Sequence, residues 1–138
     1  MTRMAALTRF FFRAPYSAPQ TGEIIAWWES RRPVYNLAVG VAGVFSLAVV
    51  ALFDVLPPAP GRAQIPWGGI LLYGILANLC FTLGPIVDAI VMKRWGRPYS
   101  EVGATLFRYG FAFAVGLTLL PVPLSFLSYL FRLVGIIR

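Results

Sequence analysis

Trp67–Met92, WGGILLYGILANLCFTLGPIVDAIVM, decides how the rest of the chain is read. The run exceeds the roughly 20 residues that a helix needs to cross a bilayer. It is apolar almost throughout, yet it holds Asn78, Thr82, Pro85 and Asp88, which hydrocarbon disfavours. An isolated charge in lipid costs about 3 kcal/mol or more, so such a residue marks either a functional site or a packing tie. At about 100° per residue, Gly74, Asn78, Phe81, Thr82, Pro85 and Asp88 share about a third of the helix circumference. Pro85 removes one backbone hydrogen bond and frees the carbonyl of Phe81, which Thr82 or water can compensate. Gly84-Pro85 therefore predicts a kink facing the bundle interior.

Composition agrees with a membrane chain. Of 138 residues, 59% are hydrophobic and 12% charged, where a soluble domain has about a quarter charged. The apolar residues come in blocks separated by Pro, Gly and basic residues, leaving room for three or four spans and no separate soluble domain. The expected fold is all-α: an interfacial N-terminal helix, spans near 34–56, 67–92 and 102–120, and an apolar C-terminal helix near 124–137. That last helix either lies on the membrane or re-enters as a short fourth span, with Pro121-Val122-Pro123 dividing it from the third.

Before the first span, residues 1–20 hold Arg3, Arg9 and Arg13 and no acid, and Phe10-Phe11-Phe12 is too short for a signal-peptide core. They read as a cytoplasmic tail whose Arg and Phe side chains rest on headgroups. In TGEIIAWWESRRPVYN, residues 21–36, Thr21 can cap a short helix with Glu23 in its first turn. Ile24, Ile25, Trp27 and Trp28 share one side. Trp27 with Arg31, and Trp28 with Arg32, are four apart and can stack as cation–π pairs. These four residues read as membrane-interface anchors, since Trp is enriched at that depth; a partner-binding surface built on the Trp pair is the alternative. Ala38, Ala42 and Ser46 recur every four residues in the first span, beside Gly40 and Gly43, which suits close helix packing within the chain or self-association.

Basic residues set the expected topology. Five arginines precede the first span, and three basic residues, Lys93, Arg94 and Arg97, follow the second. The Pro-rich loop between the first two spans has only Arg62. Positive-inside logic puts the N-terminus and the second loop in the cytoplasm. The net charge of +7 thus points to anionic headgroups as a partner. Nucleic acid is not indicated, because no basic face sits on a soluble scaffold.

Asp88 lies five residues before Lys93, and Arg108 about six residues into the third span from the same side. Their similar depth predicts an interhelical Asp88–Arg108 pair. Asn78, Thr82, Asp88 and Arg108 are accordingly the structural or pathway residues expected from the sequence.

Catalytic chemistry finds no support. The chain has no histidine, so the usual general base and commonest metal ligand are missing. Cys80 has no base to activate it, the five acids are scattered, and no metal-ligand spacing or cofactor motif occurs. GEIIAWWESRRPVYN followed by a span, with ANLCFTLGPIVD in the next, resembles small bacterial multi-span membrane proteins with a Trp-Trp-Glu-x-Arg-Arg start. The resemblance covers about 30 residues. It implies an inner-membrane location and no activity. Two functions fit: a non-catalytic structural or accessory subunit with a membrane-protein partner, or a small homo-oligomeric transporter or channel using the polar face of the second span.

Overall fold

The computed structural model describes residues 3–12, 20–58, 65–95 and 101–135. Arg13, Arg62, Arg97 and Arg138, which enter the reading of the tail, the loops and the C-terminus, lie outside the described residues. Six α-helices follow in order: α1 (Arg3–Phe12), α2 (Thr21–Glu29), α3 (Arg32–Val55), α4 (Trp67–Trp95), α5 (Val102–Leu119) and α6 (Pro121–Leu133). No strand occurs among the described residues. Three helical segments are long and apolar enough to cross a membrane: Thr21–Val55, Trp67–Trp95 and Val102–Leu133. The protein is a membrane protein by this measure.

Local sequence explains the boundaries. Gln20, not Thr21, occupies the extended N-cap position of α2, and Glu23 sits in the first turn where the helix dipole favours an acid. Pro33 falls in the first turn of α3, where a missing N–H costs nothing, and separates it from α2. Pro121 does the same for α6 after α5. Gly135 closes α6 with φ of 75°, a left-handed conformation that glycine adopts without a Cβ penalty, and its N–H donates to the Arg132 carbonyl. Within α4 the helix continues through Pro85.

Paired contacts give the topology. Tyr35 meets Phe111, Ser46 donates to the Thr118 carbonyl at 2.6 Å, and Phe53 packs on Tyr129. Position therefore advances together on both sides of the contact, so α3 runs parallel to α5 and then to α6. The backbone does not double back at Pro121-Val122-Pro123; α6 carries on beside the far half of α3. Phe81 with Phe107, and Tyr73 with Ala114, run in opposite order, so α4 is antiparallel to α5. α5 is the central helix.

Phe107, 1% exposed, lies at the middle of the core. The rings of Phe10, Phe11, Trp27, Trp28, Phe81 and Phe111 surround it, with centroids 5.8 to 6.4 Å away. Offset and edge-on pairs at this spacing add about 0.5–1.5 kcal/mol each beyond area burial. The outer surface is apolar too: Leu37, Val41, Val44, Leu71 and Phe113 are all more than 60% exposed. A molecule with an aromatic interior and an apolar exterior suits hydrocarbon as its solvent.

Two expectations for the N-terminal third need correction. Phe10 and Phe11 do not rest on headgroups: residues 3–12 fold as α1 and dock these two rings onto Phe107 and Phe111 of α5. Trp27 and Trp28 are 5% and 3% exposed, so they are core residues and not anchors reaching for headgroups. Ile25, expected to share their side, is exposed. The α2 face turns inward because α4 and α5 offer Gly84 and Phe107 as a surface for two large rings.

Candidate functional site

Asp88 is fully buried, and its Oδ2 accepts the indole Nε1–H of Trp28 at 3.0 Å. A hydrogen bond to an ionised group contributes about 1.5–3 kcal/mol. The same oxygen lies against Gly103 in the first turn of α5, close enough that a Cβ there would overlap the carboxylate. Helix N-termini carry partial positive charge, so this is a favourable seat for an acid. Gly84, one turn before Asp88, performs the matching service for Trp28: a Cβ at Gly84 would run into the six-membered ring. Two glycines thus make room for a Trp–Asp tie joining α2, α4 and α5.

Arg108 is not Asp88's partner. Its guanidinium donates to the Ala104 carbonyl and Thr105 Oγ1, and lies over the Phe12 ring at 4.5 Å. The reason is angular. Five residues beyond Gly103 is about 140° further round α5, which turns Arg108 toward α1. Depth alone suggested the pair, and rotation about the helix separates it.

The polar face of α4 divides. Phe81, Pro85 and Asp88 are buried, whereas Asn78 is half-buried and Thr82 exposed. The latter two meet Arg32, whose Nη1 reaches Asn78 Oδ1 at 3.5 Å and whose Nη2 reaches Thr82 Oγ1 at 3.3 Å. Arg32 is held by a two-point ion pair to Glu29, with both bonds 2.7 Å long, and lies over Phe81 at 4.8 Å. The expected Trp28–Arg32 stack is therefore replaced by Phe81–Arg32, since Trp28 points into the core. Asn78 Nδ2 also donates to the Gly74 carbonyl, and Thr82 Oγ1 to the Asn78 carbonyl. Thr82 thus bonds the Asn78 carbonyl and not that of Phe81, the one Pro85 frees.

Trp27 and Arg31 do stack as the spacing predicts, 3.7 Å from guanidinium carbon to ring centroid. The guanidinium also lies over Phe10 at 4.7 Å and donates twice to the Phe10 carbonyl and once to that of Trp27. Arg31 thereby caps the C-terminal turns of α1 and α2 together, where a cation is favoured and carbonyls lack helical partners. At the opposite end Arg132 donates to the Phe53 carbonyl in the last turn of α3.

The small residues of the first span face α5. Ala42 and Ser46 are buried, and a Cβ on Gly43 would make ordinary contact with Thr118 Cγ2 at 3.6 Å. Gly40 points into open space. Close packing within the chain accounts for Ala42, Gly43 and Ser46.

Sequence reasoning missed Trp28, Gly84 and Gly103 as parts of the Asp88 setting. Trp28 and Asp88 are 60 residues apart, and no charge sign advertises an indole as a carboxylate's donor. Among the described residues no group of three His, Cys, Asp or Glu is placed to hold a metal ion. Comparison with protein-family models, with curated proteins and with solved structures finds no match to this chain.

Proposed function

We propose that this is a non-catalytic structural or accessory subunit of a membrane complex, seated in a bacterial inner membrane with its N-terminus in the cytoplasm. The observation that carries the reading is the use of α4's polar side chains: Trp28 and Arg32 reach across to Asp88, Asn78 and Thr82. A transporter or channel would need those groups to line a water-filled path, whereas here they join helices. Lys93 and Arg94 stand in the last turn of α4, and with the arginines that precede α3 in the sequence they support the cytoplasmic assignment. In this reading α6 continues the third span outward and lies at the outer interface beside the end of α3.

Extraction in a mild detergent followed by mass measurement tests the proposal. Recovery with a different membrane protein in fixed ratio is the expected result. A closed homo-oligomer that passes ions in liposomes, with flux abolished by Asp88→Asn, would overturn it.

A further inference from the structure

We infer that the bilayer meets this protein in a register set by α3 and by α5 with α6. Lipid headgroups then lie level with Glu29, Arg32 and Arg108, and the last turns of α4 stand outside hydrocarbon. The inference rests on the membrane reading of the chain and not on the accessory role proposed above. Three uncharged runs compete to define the slab: residues 33–53, 67–87 and 109–131. The first and third are in step. Tyr35 meets Phe111 and Phe53 meets Tyr129, so both runs advance 18 residues between the two contacts. Leu120, between α5 and α6, keeps right-handed helical angles, so the two helices continue one another.

Charges close these two runs at matching levels, Arg32 and Arg108 at one end, Asp54 and Arg132 at the other. Arg132 donates to the Phe53 carbonyl and so ties the far end together. At 1.5 Å per residue, Arg32 to Asp54 is about 33 Å and Arg108 to Arg132 about 36 Å. The hydrocarbon is about 30 Å thick, and snorkelling side chains take up the difference. α4 is out of step with both runs. Arg32 reaches Asn78 and Thr82, and Phe107, next to Arg108, meets Phe81. The level at which the other runs end therefore falls at Cys80, the middle of residues 67–92.

One slab cannot suit all three helices. Centred on α4, it would hold Arg32, Arg108 and Glu29 at mid-bilayer, the Glu29 side chain 47% exposed, and a charge at that depth is costly. The same choice would lift the exposed side chains of Leu52, Val55, Leu124, Leu127, Leu130 and Phe131 out of hydrocarbon. Centred on the other two runs, the slab holds those six side chains, keeps both runs free of charge and displaces Ile25, Ile86, Val87 and Ile90. Ile90 then stands about 12 Å beyond Thr82, past the roughly 5–7 Å of interface that flanks the hydrocarbon. The Trp28–Asp88 tie stands outside hydrocarbon with it. The placement of α6 is sharpened as well: α6 completes the third span, and its last turn, with Arg132, is the part at the interface.

Cys80 is exposed and serves as a depth probe in the unaltered protein. A nitroxide attached to it, in protein reconstituted into bilayers, collides with oxygen, which concentrates in hydrocarbon, and with a water-soluble nickel chelate. Its counterpart is a nitroxide on Leu120→Cys in a Cys80→Ala background. Leu120 lies midway between Arg108 and Arg132 and is 49% exposed. The expected result is an oxygen-to-nickel collision ratio several-fold higher at position 120 than at position 80. The reverse order would overturn the register, because a slab centred on α4 makes position 80 the deepest point. Equal ratios at hydrocarbon depth would overturn it too. Nickel-dominated collisions at both positions would refute the membrane reading and the register with it. Should Leu120→Cys fail to extract, Cys80 decides by itself: nickel-dominated collisions there sustain the register, and oxygen-dominated collisions overturn it.

Discussion

Replacing Gly103 with alanine places a methyl group where Asp88 Oδ2 now lies. Two responses are open. The carboxylate can rotate away and surrender the Trp28 bond, losing about 1.5–3 kcal/mol. Alternatively α5 can shift from α4, an overpacking strain of about 1–3 kcal/mol. The helix itself would gain slightly, since alanine is favoured over glycine by up to about 1 kcal/mol. The net expectation is a loss of about 2 kcal/mol, a large share of the roughly 5–15 kcal/mol that holds a domain folded. Titration of the micellar protein with a denaturing detergent, followed by circular dichroism and tryptophan fluorescence, measures it. The decisive comparison is a cycle with Asp88→Ala, where the methyl group meets no carboxylate and the alanine gain is all that remains. A coupling energy of about 2 kcal/mol or more between the two sites is expected. Additivity within about 0.5 kcal/mol would refute the contact and the account of Asp88 built on it.

Trp28→Phe keeps the ring and removes the donor, so it should destabilise by about 1.5–3 kcal/mol in the same titration, and by much less in an Asp88→Ala background. Gly84→Ala drives a Cβ into the Trp28 ring, for an expected loss of about 1–3 kcal/mol, while Gly40→Ala, inside α3 and facing open space, should stabilise by about 0.5–1 kcal/mol. Arg31→Met removes the cap shared by α1 and α2, and amide exchange across residues 3–12 should then accelerate while α4 stays protected; uniform acceleration would contradict a local role. Ser46→Ala breaks a single interhelical bond to the Thr118 carbonyl, for which membrane-protein cycles average about 0.6 kcal/mol, and self-association measured by mass should be unaffected.

The spans were legible because hydropathy blocks and proline breaks act locally. Pro33, Pro121 and the Leu56-Pro57-Pro58 stretch end helices through their own φ restriction, whatever packs around them. The Trp27–Arg31 stack was legible for the same reason, since a four-residue spacing fixes both partners on one helix. Arg32 shows where such spacing stops being enough: Trp28 has the right offset, yet a core ring on α4 competes for it and Phe81 wins. The docking of α1 was not legible. Three phenylalanines ahead of a basic residue look the same whether they rest on headgroups or on Phe107, and only the fold supplies Phe107.

Asp88 carries the wider argument. Its presence in the second span suggests a pathway, and sign and depth name Arg108 as its counter-charge; neither consideration includes the rotation of α5. Once rotation is included, the position that faces Asp88 is a glycine, and the donor comes from a third helix. That arrangement sets an indole donor and a helix terminus against the Asp88 carboxyl group. It also leaves Arg108, Arg31 and Arg32 for other ties: to Phe12, to the end of α1, and to the exposed edge of α4. Each of these cations stacks on an aromatic ring as well as donating hydrogen bonds. Within a membrane chain this solves a definite problem. Polar groups must be satisfied inside the protein, and an aromatic core can hold cations by their faces while carbonyls and carboxylates take the edges. Among the described residues the interior is specified in large part by where glycine lets a ring or a carboxylate come close.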